Sequence, residues 1–324
     1  MYIMTSHITV GTYVVKVALV KWKCSVSNLV DTCTIQLPRL VFMPNMVPGT
    51  GVEVPRKFSK LQYQPFKEGD PVTVQLGYDN DNKTVFKGFL KRINQSTPLQ
   101  LECEGYNYPL YNVVFNKSYP NTTLKKVLQD LTTGTGIQLS PYIPDMQLSN
   151  LTFKNVPGMK VLEWFQKECL CSVYFDFDQL YVGASRYGIP KPRQRLLLGW
   201  NTVDDKNFKK NVPDTQINIQ VVTKNPAGSV KKTKSDSQKY SATKEIKVRS
   251  GLPDSFVKQL ADEIQKQQNY AGFSGNITCF LVPYFEKGYS VAIKDRRFPE
   301  RRGLFFVETV EGSFDSSGGL PRCP

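Results

Sequence analysis

The sequence predicts a mainly β fold, with two β-barrels flanking an α+β module. Three observations carry this. Segments that alternate apolar and polar residues, separated by Asp, Asn, Gly and Pro, fill the first hundred residues and the last third. Between them the hydrophobic spacing switches to the threes and fours of a helix. The length, 324 residues, suits about two domains at roughly 150 residues each. The expected boundaries are a first barrel over 1–105, the α+β module over 106–192 and a second barrel over 193–324. No exact internal repeat is visible.

The first barrel opens with partial alternation over 12–23. It continues over 31–39, where Cys33, Ile35 and Leu37 share one face. Prolines and glycines over 42–64 predict a long loop or an irregular edge. A hairpin follows. Val72, Val74 and Leu76 alternate with polar residues, Asp79-Asn80-Asp81-Asn82 turn the chain, and 85–93 return with Phe86-Lys87-Gly88 near the start. Leu99, Leu101 and Cys103 mark a third strand. Successive short strands of this kind suggest an antiparallel barrel or sandwich.

In the middle, Thr122 or Thr123 caps a helix whose stripe is Leu124, Val127, Leu128 and Leu131. Gly134 and Gly136 end it. Pro157 and Gly158 precede a second helix carrying Val161, Leu162, Phe165 and Leu170. A hairpin over 172–184 turns near Asp178-Gln179. Strands are then expected at 196–198, 215–223, 240–249, 276–282, 290–294 and 304–310. A helix over about 254–270, capped by Asp254, interrupts them with Phe256, Val257, Leu260, Ala261 and Ile264 inward. The stretch 225–243, rich in Lys, Ser, Thr and Gly, reads as a long mobile basic loop.

The net charge is +14. Ten lysines fall between Lys206 and Lys247, among them Lys206, Lys209, Lys210, Lys231, Lys232 and Lys234, against Asp214, Asp236 and Glu245. Arg296, Arg297, Arg301 and Arg302 form a second cluster in DRRFPERRG. Such clusters bind phosphate backbones through counterion release, or serve as solvated or protein-docking loops. Tyr106, Tyr108 and Tyr111 either stack bases or pack a domain junction. No stretch approaches the ~20 apolar residues of a membrane helix, and no secretory signal pattern opens the chain.

Catalytic and metal-binding patterns are sparse. The seven cysteines show no C-x-x-C or finger spacing, which suits buried or incidental thiols in a reducing compartment. Whether Cys24 and Cys33 face each other across a hairpin stays open. His7 is the single histidine, so sites needing two imidazoles are excluded. Asp79 and Asp81 have some calcium-loop spacing, but the glycine and glutamate of such a loop are missing, and a hairpin turn explains them. Asp176 and Asp178 could share a face as paired carboxylates, yet they flank a turn. No nucleophile elbow or phosphate loop occurs. No enzyme, metal or cofactor is expected.

The order of these elements resembles that of phage tail hub proteins. FKEGDPVTVQLGYDNDNKTVFKGFLKRI from Phe66 is similar to that family's signature hairpin, with Gly69-Asp70, Gly77-Tyr78 and Phe86-Lys87-Gly88 in the matching places. LQLECEGYNYPL from Leu99 resembles the strand leading into the family's helical module. The helices from Leu124 and Met159 and the hairpin VYFDFDQLYVG from Val173 fall where that module has them. The segment from Lys294 is similar to the end of hub proteins, including those fused in type VI secretion spikes.

The resemblance implies a structural baseplate hub of a phage tail or contractile injection system. It implies a homotrimer with two barrel tube domains per chain and a pseudo-sixfold ring between a sixfold tail tube and a threefold spike. Its partners would be the tail tube protein, a separate spike protein, and tape-measure or baseplate wedge proteins. DNA would pass only in transit. The protein would reside in the virion tail baseplate after assembly in the host bacterial cytoplasm. The helix from Asp254 departs from a simple barrel. A basic nucleic-acid-binding β-protein and a tail-associated cell-wall hydrolase remain as alternatives.

Overall fold

The computed structural model describes residues 3–38, 43–46, 53–56, 66–213, 216–224, 230–235, 242–249 and 251–315. The fold is mainly β, with three α-helices among the described residues. The chain forms two compact units. Unit 1 joins Met1–Pro109, Lys191–Asp205 and Ile277–Pro324; unit 2 joins Leu110–Pro190 and Lys206–Asn276. The last third of the chain is thus divided between the two.

Unit 1 begins with β1 (Met4–Val10), β2 (Tyr13–Val14), β3 (Leu19–Ser25), β4 (Thr32–Leu37), β5 (Met43–Met46), β6 (Glu53–Arg56), β7 (Pro71–Tyr78), β8 (Asp81–Asn94) and β9 (Leu99–Glu104). Unit 2 follows with β10 (Val114–Thr123), α1 (Leu124–Thr132), β11 (Gln138–Leu139), β12 (Gln147–Pro157), α2 (Gly158–Glu168), β13 (Ser172–Asp176) and β14 (Gln179–Gly183). The chain returns to unit 1 for β15 (Arg193–Leu197) and β16 (Thr202–Asp204). It adds β17 (Lys209–Asn211), β18 (Ile217–Lys224), β19 (Val230–Lys234), β20 (Ala242–Val248), α3 (Asp254–Gln268) and β21 (Gly272–Ser274) to unit 2. Unit 1 ends with β22 (Thr278–Cys279), β23 (Ser290–Lys294), β24 (Gly303–Phe306) and β25 (Thr309–Asp315).

The dominant element of unit 1 is one eight-stranded sheet in the order β2-β1-β7-β8-β9-β4-β3-β25. Its alternating strands bury one face. Ile8, Val20, Trp22, Ile35, Leu37, Val74, Leu76, Phe86, Leu90, Leu101 and Phe314 meet in a single core cluster. Strands from almost the whole sheet contribute to it. The β7–β8 hairpin turns at Asp79 and Asn80, both with left-handed φ (50° and 67°), as Asp and Asn tolerate. Cys33 lies opposite Trp22 on β3 and opposite Cys103 on β9, so Cys24 is not its cross-strand partner.

The expected strand 304–310 is two strands. β24 pairs with β23, whereas β25 pairs with β3 and joins the large sheet. Within the expected loop 42–64, β5 and β6 pair as a short antiparallel ribbon; the remaining positions lie outside the described residues.

In unit 2 the stripe of α1 is buried as the spacing requires: Leu124, Val127, Leu128 and Leu131. Thr123 is the N-cap, and its Oγ1 accepts the Lys126 N–H at 3.2 Å. Thr123→Ala is expected to cost about 1 kcal/mol, read as a lower urea midpoint with unchanged slope. In α2, Val161, Leu162 and Phe165 are buried. Leu170, placed on that stripe from spacing, lies beyond the helix end with φ +53°. The β10–β12 ribbon was not legible beforehand, because β10 buries only Phe115 along its length.

Two expectations near α3 need correction. The basic stretch 225–243 is not one loop: Val230–Lys234 is a strand paired antiparallel to β18, and β20 starts at Ala242. Positions 225–229 and 236–241 lie outside the described residues. Asp254 is not a capping residue. It is the first helical residue, Pro253 holds the cap position without a side-chain bond, and the Asp254 carboxylate instead pairs with Lys231.

Where β19 stops short, α3 replaces it. Gln265 Oε1 accepts the Ile219 N–H at 2.8 Å. Asn269 Oδ1 accepts the Ile217 N–H at 2.9 Å, and its Nδ2 donates to the Ile217 carbonyl at 2.8 Å. Positions i and i+4 share a helix face, so two amides satisfy the backbone that a strand would otherwise bond.

Candidate interaction surface

The basic residues singled out from sequence fall into two groups. Lys206, Lys209, Lys210, Lys231, Lys232 and Lys234 belong to unit 2, and Arg296, Arg297, Arg301 and Arg302 to unit 1. Lys209 and Lys210 are exposed on β17, whose partner is β21. Lys231, Lys232 and Lys234 are exposed on β19. Two of these three are already neutralised locally: Lys231 by Asp254, and Lys232 by Glu245 at 2.6 Å. Lys206 is exposed just before β17.

The arginine cluster is a built turn, not a loose loop. Asp295 is buried and organises it. Its Oδ1 accepts the N–H groups of Arg297 (2.8 Å) and Phe298 (3.0 Å), and its Oδ2 accepts from Arg301 (3.1 Å). Its backbone carbonyl accepts Arg302 Nε at 2.9 Å. Burial alone would raise the Asp295 carboxyl pKa. The backbone bonds from Phe298 and Arg297, with the Arg301 charge, outweigh that and hold it below the ordinary value.

Arg301 differs from its neighbours. Its side chain is only 14% exposed and sits between Asp205 (2.9 Å) and Asp295 (3.1 Å). It is therefore a structural cation of the turn. Arg296, Arg297 and Arg302 remain exposed at the tip, together with Phe298 at 51%. A short 3-10 turn at Pro299–Arg301 completes the loop and hands the chain to β24.

Spacing arguments missed what stands beside this turn. β15, β23 and β24 form a three-stranded sheet with β23 in the middle. Leu196, Val291 and Ile293 bury one face. By register, the other face carries Arg193, Arg195 and the half-buried Leu197 on β15, Ser290, Ala292 and Lys294 on β23, and Leu304 and Phe306 on β24. Neither RQRLL nor GLFF alternates apolar with polar residues, so which of their side chains share the solvent face follows only from the register.

Tyr106 and Tyr108 pack on Phe89, with centroids at 5.2 and 5.9 Å. Tyr111 is exposed. Asp176 ends β13 and Asp178 sits in the following turn. Asp79, in the β7–β8 turn, accepts the Ile3 N–H, and Asp81, the first residue of β8, pairs with Lys83. His7 is exposed on β1. Among the described residues, no helix is long and apolar enough to cross a membrane.

No family model and no curated protein matches this chain. Solved structures do. The 43 kDa tail protein of prophage MuSo2 from Shewanella oneidensis superposes with a TM-score of 0.63 at 13% identity, covering 99% of this chain and 97% of that one. The fold is that of phage tail proteins. A tail protein from Neisseria meningitidis gives a TM-score of 0.62 at 12% identity, over 99% of this chain and 96% of that one. An E. coli component of the type VI secretion system, described as structurally similar to the T4 phage tail proteins gp27 and gp5, gives 0.53 at 10% identity. There the match covers 98% of this chain and 75% of the other. At these identities the likeness is one of fold, and it spans the tail-protein fold from end to end.

Proposed function

We propose that this chain is a structural, non-enzymatic baseplate hub of a phage tail or phage-derived injection system. The observation that carries the reading is the match, over 98–99% of this chain, to tail proteins and to a type VI component with one fold. In this reading three chains form a closed ring, each contributing two tube domains. The domains of the chain follow the order first barrel, peripheral α+β module, second barrel. In this reading the eight-stranded sheet, β25 included, makes the first barrel, and other strands of the last third contribute to the second. Its partners are the tail tube protein, a spike protein, and tape-measure or wedge proteins, and its place is the virion tail baseplate.

A polyanion-binding role is less well supported. Lys231, Lys232 and Arg301 already have carboxylate partners, which reduces the counterions they can release.

The test is the solution mass by light scattering, at low and high salt. The expected result is about three times 36.8 kDa at both. A monomer at both salts, alone and mixed with tail tube protein, overturns the hub reading.

A further inference from the structure

The outer face of the β15–β23–β24 sheet has the shape and chemistry of a docking trough. Its floor is Ser290 and Ala292, both small and half-buried on the central strand. One rail is apolar: Leu304 and Phe306, each 50% exposed, stand two residues apart on β24. The other rail is basic: Arg193 and Arg195 stand two residues apart on β15, and Lys294 extends the charge at the end of β23. All three cations are exposed, and none is paired with a carboxylate among the described residues.

The two rails lie two strand spacings apart, about 9–10 Å. That is close to the width of one α-helix with side chains, about 10–12 Å. Along the basic rail the guanidinium attachment points repeat every ~6.6 Å, and residues i and i+4 of a helix repeat every ~6 Å. The geometry points to one occupant: an acidic amphipathic helix of a partner protein, laid along β23. Its carboxylates at i and i+4 would meet Arg193 and Arg195, and its apolar stripe would meet Leu304 and Phe306.

Charge complementarity selects the acidic partner, and the apolar rail makes it more than a steering patch. Nucleic acid fits less well, because only Phe306 of the apolar rail offers a ring for a base to stack on and Leu304 does not. The inference concerns unit 1 alone and does not depend on the hub reading.

The probe is a fluorescent helical peptide with Glu at i, i+4 and i+8 on one flank and Leu and Phe on the other, read by anisotropy against the full chain. Wild type is expected to bind. Arg193→Glu with Arg195→Glu, and separately Leu304→Ser with Phe306→Ser, should each weaken binding by about tenfold or more. A peptide with Lys for Glu should restore binding to the charge-reversed variant. All these positions are surface sites, and unchanged circular dichroism and thermal midpoint check the fold.

Three results overturn the proposal. The peptide fails to bind wild type. Binding ignores the Leu304/Phe306 pair while an oligothymidylate competes, which makes the face an anion site. Or both variants dissolve an oligomer of the protein itself, which makes the face a contact between copies.

Discussion

Lys287→Met is expected to destabilise unit 1 by about 3–5 kcal/mol, the range for removing one partner of a buried ion pair. The Lys287 ammonium bonds the Asp31 carboxylate, and the two side chains are 6% and 9% exposed. Asp31 also accepts the Ser25 N–H at 3.1 Å, and its carbonyl accepts the Gly105 N–H at 2.9 Å. Asp31 therefore holds the end of β3 through its carboxylate and the chain leaving β9 through its backbone carbonyl, while the cation arrives from the last third of the sequence. Without the ammonium, a negative charge stays in a medium that solvates it poorly. Lys287→Met combined with Asp31→Asn should recover much of the loss, because the amide still accepts from Ser25 without needing a cation. Urea unfolding of the two variants measures this. A loss under about 1 kcal/mol for the single variant would mean that the pair behaves as a surface one.

The second large effect is expected at Gly88. A Cβ built there would lie 2.0 Å from the Glu104 carbonyl oxygen and 2.7 Å from its carbon. These are backbone atoms of the neighbouring strand, so no side chain can swing away. Gly88→Ala must push β8 from β9, and Glu104 would move with it. Its buried carboxylate is bonded to Lys91 and, at 2.9 Å, to Asn107 Nδ2. About 3 kcal/mol is expected, at the upper end for overpacked sites. Gly134→Ala is the control. It meets nothing within 4 Å, and its cost comes only from a left-handed φ of +77°, about 1–2 kcal/mol. If the two variants prove equal in chemical denaturation, the close approach of the strands is not what Gly88 provides.

Gly88 also shows why part of the fold was readable in advance. The Phe86-Lys87-Gly88 motif lies on a return strand because the strands approach too closely there for a side chain. Such a constraint leaves a local mark. So do the alternation of Val72, Val74 and Leu76, and the cap at Thr123 before a three-and-four stripe. Each is set by a few consecutive residues and one buried face. The β10–β12 ribbon left no such mark, since paired backbones satisfy each other with few apolar residues buried. Leu170 misled for the opposite reason: apolar spacing continued past the point where the backbone left the helix.

The basic clusters divide along the same line. Their existence and exposure follow from sequence, because Lys and Arg seldom lose water. Which of them are committed does not. Arg301 looks like Arg302 in DRRFPERRG, yet Asp205, ninety-six positions away, claims it.

The sequence by itself therefore determined the mainly β class, the hairpins, the helices and the excess of positive charge, all consequences of local periodicity and solvation. Only the tertiary structure decided three other things. These are the pairing of β25 with β3, the buried Lys287–Asp31 bond, and the face of β15–β23–β24 that presents arginines together with Leu304 and Phe306. Those depend on register and on contacts between distant segments. A one-residue slip exchanges the two faces of a strand, so no count of residues along the chain can choose between them.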